Sequence, residues 1–253
     1  MKRLVLALVL VAVPATAAVP TRLITDISQA RIEIDTQFKG ADLLVFGAIQ
    51  YPRGSIPDTP PEIAVVVRGP PQAITVRKKA RVAGIWINTD SARFETVPGF
   101  YSVATTSPIA ALADERTTAI YEIGVASLQL SPASGSSDAQ TQEFERGLIA
   151  LKRKTGLFAD NPGAVTVTQG VLYRARMAIP SAVPVGDYAA EIYLIRRGRV
   201  IASSTTPISI GKSGFERWIY VAAQEHSLLY GLAAVVSALL AGWIASLVVA
   251  RRG

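Results

Sequence analysis

The chain carries an apolar segment near each end, and the two segments differ in length. Residues 227–250 contain no charged residue and would form about 36 Å of helix at about 1.5 Å per residue. The hydrocarbon core of a bilayer is about 30 Å thick, so this run is predicted to be a transmembrane helix. Arg251 and Arg252 follow it directly and predict a cytoplasmic tail at residues 251–253.

The N-terminal segment has the pattern of a secretory signal peptide. Two basic residues precede an apolar run at residues 4–13, and Ala15 and Ala17 are spaced for cleavage before Ala18. Residues 1–17 are therefore predicted to be a signal peptide. The predicted location is the inner membrane, crossed once, with the N-terminal domain in the periplasm and the C-terminus in the cytoplasm.

The charge distribution argues against a nucleic-acid partner. The formal net charge is +7, but four basic residues belong to the two termini, and the part predicted to be exported carries only +3. An exported domain is also separated from the chromosomal DNA by the membrane. We therefore expect membrane lipid, and no nucleic acid, among the partners.

The sequence offers few groups for catalysis. Cys is absent, and His226 is the only histidine. These absences exclude a thiolate nucleophile and a Cys/His zinc site, and they leave one histidine for any Ser-His-Asp triad. We predict a non-enzymatic protein with no catalytic, cofactor-binding or metal-binding residues. A carboxylate-dependent hydrolase is the weakest alternative, and its candidate acids and bases are Asp90, Glu95, Asp114 and Glu115.

Short strand-like runs separated by turn residues fill most of residues 18–212. Apolar and polar residues alternate over residues 31–35, as in a strand with one wet face, whereas residues 43–49 are apolar throughout, as in a strand buried between layers. We predict a mainly β fold, with an immunoglobulin-like β-sandwich ectodomain and a helical insertion at about residues 107–156. One β domain and two small ones both fit this pattern.

Three local patterns make sharper predictions. Residues 82–88 are predicted to form one strand, and residues 196–199 the tip of a hairpin. A helix is predicted to start near residue 138. Its apolar face is formed by Phe144, Leu148 and Leu151.

Residues 213–226 precede the predicted transmembrane helix and are predicted to form an amphipathic juxtamembrane helix. Aromatic side chains favour the depth of the lipid headgroups, so the candidate interface anchors are Phe215, Trp218 and Tyr220. The alternative is a helix that packs on the ectodomain.

Small residues recur at every fourth position of the 227–250 segment. They form a candidate helix-packing stripe of Ala234, Ala238, Gly242 and Ser246. Such a stripe allows another helix to approach closely, which predicts a membrane-protein partner or a homo-oligomer. The alternative is that an alanine-rich segment produces the stripe by chance.

The densest basic run of the chain is residues 77–81, and an aromatic and an amide residue follow it closely. The candidate ligand or partner surface is Arg77, Lys79, Arg81, Trp86 and Asn88. If these groups line a cleft, the protein would be a periplasmic binding module for a small anion or an envelope polymer. The alternative is a solvated strand end.

Several stretches of the chain match one known family in order: residues 82–88, 100–101, 107–108, 214–218, 229–231 and 241–243. In these stretches the chain resembles the alphaproteobacterial putative transmembrane protein family, Alph_Pro_TM, nearly end to end. The family has no assigned catalytic residues, so the resemblance carries none over. Its members are often found beside sulfite-exporter-like permeases, which implies a non-enzymatic accessory or assembly subunit of such a membrane complex.

Overall fold

A computed structural model describes residues 20–54, 56–133, 138–212, 220 and 223–250 of the chain. The predicted signal peptide and the predicted cytoplasmic tail lie outside the described residues, as do Phe215 and Trp218 of the predicted juxtamembrane helix.

The elements follow in chain order, beginning with seven strands. These are β1 (Arg22–Ile27), β2 (Arg31–Ile34), β3 (Gly40–Gln50), β4 (Glu62–Arg68), β5 (Pro71–Val82), β6 (Ile85–Pro98) and β7 (Tyr101–Thr105). The middle of the chain forms α1 (Ile109–Leu112), α2 (Glu115–Tyr121), β8 (Ser131–Pro132) and α3 (Asp138–Lys154). The remainder forms β9 (Phe158–Pro162), β10 (Val165–Thr168), β11 (Leu172–Pro180), β12 (Gly186–Arg196), β13 (Arg199–Lys212) and α4 (Ser227–Ala250).

A six-stranded sheet in the order β2-β13-β12-β4-β7-β9 lies at the centre of the β region. Its strand β4 is fully buried from Ile63 to Val67, which requires cover on both faces. The continuous apolar run of β4 suits this position, because a strand between two layers has no wet side. The pairs at the two edges, β2 with β13 and β7 with β9, are parallel.

A four-stranded antiparallel sheet, β1-β3-β11-β10, covers one face of the central sheet. Leu43 and Val45 of β3 are fully buried in the core between the two sheets, whereas Phe46 is 38% exposed. β3 therefore has one wet face, and the prediction of two-sided burial for residues 43–49 is wrong. The strand that lies between layers is β4.

Helices and the base of a hairpin cover the other face of the central sheet. Phe144 and Leu148 of α3 are buried there together with Phe94 of β6, as the predicted apolar face of that helix requires. Leu151 is 59% exposed, so its placement on this buried face is wrong.

The sequence identifies the mainly β character correctly, but the predicted fold class is wrong. An immunoglobulin-like domain consists of two antiparallel sheets. Here a third sheet, β5-β6-β8, is present, and the central sheet carries parallel pairs at both edges.

The transmembrane part of that fold prediction is also wrong. Among the residues that the structure describes, no helix is both long enough and apolar enough to cross a bilayer.

Candidate functional site

The most exposed part of the β region is the outer half of the hairpin formed by β5 and β6. We call residues 77–91 the arm; all of them are exposed except Ala80, which is half-buried. The strands reverse at Ala83 and Gly84, whose φ angles are 49° and 86°. Positive φ at both central residues is typical of the tight turn that joins hairpin strands. The prediction of one continuous strand over residues 82–88 is therefore wrong, since the turn lies within it.

One face of the arm is basic and contains the predicted ligand or partner surface. Arg81 lies opposite Trp86, and Lys79 lies opposite Asn88. Cross-strand partners point to the same side of a hairpin, and alternate residues of a strand share a face, so Arg77 joins this group. The structure thus brings all five predicted residues together on one face.

Toward the tip, the other face of the arm is apolar, and the sequence analysis missed it. Val82 lies opposite Ile85, and Ala80 lies opposite Ile87. The exposed fractions are 49% for Val82, 68% for Ile85 and 45% for Ile87, and neighbouring Trp86 is 67% exposed. The signal that could have revealed this face was the position of the turn, because the turn determines which residues of the two strands are cross-strand partners on one face.

Two polar contacts fix the arm. The Lys78 ammonium lies 2.7 Å from the Glu143 carboxylate of α3, and this contact raises the pKa of Lys78 and lowers the pKa of Glu143. Nearer the tip, Arg81 Nε donates to the Gly84 carbonyl over 3.2 Å and braces the turn. The arm is therefore attached to α3 at its base and held by its own backbone at its tip.

A groove of about 400 Å³ separates the base of the arm from α3. Val76, Phe144 and Leu151 supply apolar side chains to it, and Gly147 leaves space along the helix. The groove continues the apolar character of the arm onto α3.

A second polar cluster lies at the end of β4 and is fully engaged within the fold. The guanidinium of Arg68 contacts Glu122 and Glu191, and it donates to the Tyr121 carbonyl over 2.9 Å. Burial opposes the charged form of Arg68, but the two carboxylates outweigh it and raise its pKa. Burial is also the main cause of the raised pKa of Tyr101, whose ring lies beneath the guanidinium.

Two of the four carboxylates considered for hydrolysis, Asp114 and Glu95, have side-chain contacts within the fold. Asp114 accepts a hydrogen bond from the Thr117 backbone over 2.7 Å and caps α2, while Glu95 pairs with Arg93 over 2.9 Å. Asp90 lies opposite Lys78 on the arm. In the described part of the chain, no group of three acidic or histidine side chains is placed to hold a metal ion.

A family model described as "Putative transmembrane protein (Alph_Pro_TM)" matches residues 22–251. The chain belongs to the Alph_Pro_TM family. No curated protein and no solved structure matches it. Membership places the chain in a family described as transmembrane, and the match includes both the arm and α4.

In this Alph_Pro_TM protein, every described side chain of α4 is exposed, from Ser227 to Trp243. The first three positions of the predicted packing stripe, Ala234, Ala238 and Gly242, lie on this exposed helix, whereas the side chain of Ser246 lies outside the described residues. Of the predicted interface anchors, Tyr220 is described and is 65% exposed.

Proposed function

We propose that this protein is a non-enzymatic accessory or assembly subunit of a complex at the inner membrane, with its β domain on the periplasmic side. The observation that carries the proposal is the exposed apolar surface of α4, where Leu228 is 89%, Leu232 63% and Leu239 69% exposed. Exposed apolar surfaces of this extent mark sites of interaction with a membrane or with another protein. Membership in a family described as transmembrane supports the membrane environment as the site of this interaction.

The state of the polar groups supports a non-enzymatic role. Arg68 binds two carboxylates and a backbone carbonyl, and Asp114 caps a helix, so these groups stabilise the fold. The arm presents ammonium, guanidinium and apolar groups on a strand pair open to solvent, which suits binding more than bond-breaking.

A membrane-protein partner fits α4 better than lipid alone. Ala234, Ala238 and Gly242 present small side chains at four-residue intervals on an exposed helix, and small residues allow another helix to approach closely. The resemblance to a family found beside sulfite-exporter-like permeases makes such a permease the first partner to test.

Binding of a small anion is the second candidate, and the recess at the arm disfavours it. Arg77 and Asn88 line a shallow recess of about 400 Å³ together with Asp90. The carboxylate of Asp90 would repel an anion there, and ligand sites are normally concave enough to bury most of the ligand.

Co-purification of the tagged full chain from native membranes in mild detergent tests the proposal. We expect a membrane protein to co-purify, Ala238→Leu to release it, and Leu239→Ala to retain it, because the first substitution obstructs the small-residue face and the second does not. Equal recovery with both variants, or no partner with the parent chain, would contradict the accessory-subunit role.

A further inference from the structure

The tip of the arm combines exposed apolar side chains with a tight turn. Val82 and Ile85 flank the turn, and Trp86 and Ile87 follow. All four are large, and all are at least 45% exposed. Exposure of such an apolar tip to water is unfavourable, and its transfer into an apolar environment lowers the free energy.

The arm is also strongly cationic. Its fifteen residues include four basic ones and a single acidic one, Asp90. Lys78 is paired with Glu143, whereas Arg77, Lys79 and Arg81 share the opposite face. A partner surface that complements the arm is therefore both negatively charged and apolar.

This charge disfavours a second copy of the chain as the occupant. β5 is an edge strand of its sheet, and exposed edges are templates for pairing with another chain. Basic side chains on an edge oppose such pairing, because two copies would bring like charges together.

The spacing of these groups matches the depth profile of a bilayer surface. Arg81 is next to the apolar tip, and Lys79 lies two residues farther along β5, or roughly 7 Å at about 3.3 Å per residue. The headgroup layer is roughly 5–7 Å thick on each side of the hydrocarbon core. With the tip at the acyl boundary, both cations would lie at the depth of the lipid phosphates.

We infer that the tip of the arm inserts into the surface of an anionic bilayer, with Val82, Ile85 and Trp86 at the acyl boundary and Lys79 and Arg81 on lipid phosphates. Tryptophan favours this depth, and basic residues gain affinity from anionic lipid. The inference rests on the proposed membrane location and gives the β domain a second contact with the membrane besides α4.

The absence of cysteine allows a direct test on the full chain. Ile85→Cys, labelled with an environment-sensitive fluorophore, is reconstituted into vesicles of phosphatidylcholine alone or of equimolar phosphatidylcholine and phosphatidylglycerol. Thr166→Cys, at an exposed position of β10 in another sheet, is the matched control. We expect a blue shift and quenching by spin-labelled acyl chains at position 85 in the anionic vesicles, a weaker response in phosphatidylcholine alone, and neither effect at position 166.

Neutralising the cations sharpens the test. Lys79→Gln combined with Arg81→Gln should lower the insertion equilibrium of the tip by roughly 30-fold, at roughly fivefold for each charge. A label at position 85 that stays in water on vesicles carrying the protein, or that responds equally in both lipids, would overturn the inference. Protection from water in native membranes but not in pure lipid would overturn it in favour of a protein partner. Failure of the full chain to associate with either vesicle would instead count against the proposed membrane location.

Discussion

Arg68 and Glu122 form an ion pair that ties the end of β4 to the residue at which α2 ends. Glu122 has a left-handed backbone, with φ at 48°, so the chain turns sharply where the pair forms. Arg68 Nε also lies 3.1 Å from Glu191 of β12. One guanidinium thus joins two strands of the central sheet to the helical layer above it.

Replacing this guanidinium should destabilise the protein. Arg68→Gln leaves Glu122 and Glu191, which are about three-quarters buried, without their cation, and we expect a loss of about 2–3 kcal/mol in unfolding free energy. Arg93→Gln removes the exposed pair with Glu95 and should cost at most about 1 kcal/mol. Urea unfolding of the full chain in mild detergent measures both, and equal losses would show that the Arg68 cluster has no special role.

The Asp114 cap of α2 should make the stability of the protein depend on pH in the acidic range. Hydrogen bonds from Thr117 lower the pKa of Asp114 below its ordinary 3.8. A carboxyl with a lowered pKa stabilises the fold above its unfolded pKa, and this contribution is lost as the pH falls through the folded pKa. Asp114→Ala should therefore lower the thermal midpoint at pH 7, and the difference from the parent should shrink well below pH 3.8.

Asp114→Asn is the control for this effect. Asparagine caps helices about as well as aspartate but does not titrate. At pH 7 the thermal midpoint of this variant should therefore equal that of the parent, and the variant should retain the capping contribution in acid. A pH-independent difference between the parent and Asp114→Ala would show that ionised Asp114 does not stabilise α2.

Two glycines should respond to alanine with opposite signs. A Cβ on Gly47 would lie closer than 3.0 Å to the Ile24 carbonyl and to the Tyr173 hydroxyl. Gly47→Ala should therefore destabilise by about 1–3 kcal/mol. Gly147 lies within α3 with open space at its Cβ position, so Gly147→Ala should stabilise by up to about 1 kcal/mol. Thermal unfolding of both variants measures these changes in stability, and two changes of the same sign would contradict this packing.

The β region should fold without α4. Both apolar cores are built from residues between Ile27 and Ile210, so a fragment of residues 20–212 contains each of them completely. We expect this fragment to be monomeric and cooperative in unfolding, with a circular dichroism spectrum dominated by strand. An unfolded fragment would show that α4 or its surroundings are needed for the fold.

The sequence predicted the strands best where apolar residues alternate and least well where long-range pairing decides. The hairpin tip at residues 196–199 is confirmed, with positive φ at Arg197 and Gly198. The Tyr188 hydroxyl donates a hydrogen bond to the Pro184 carbonyl four residues earlier, as in a tyrosine corner. Both features depend on residues close together in the chain.

Other features depended on residues far apart. The parallel edge pairs join residues separated by more than fifty positions, so no local pattern reveals them. The turn of the arm was missed because Ala83 adopts positive φ, a conformation that favours glycine or asparagine. Its five basic-face residues were nevertheless identified, since charge clustering does not depend on knowing the turn.

Labelling in intact cells tests the central claim most directly. Thr166→Cys places one exposed thiol on the β domain, and Ala175→Cys places one at a position that is 1% exposed, as a control for native packing. We expect the protein in the membrane fraction, with position 166 modified by a membrane-impermeant maleimide without permeabilisation and position 175 unmodified. Recovery in the soluble fraction, or modification of position 166 only after the inner membrane is permeabilised, would contradict a membrane-associated protein with a periplasmic β domain.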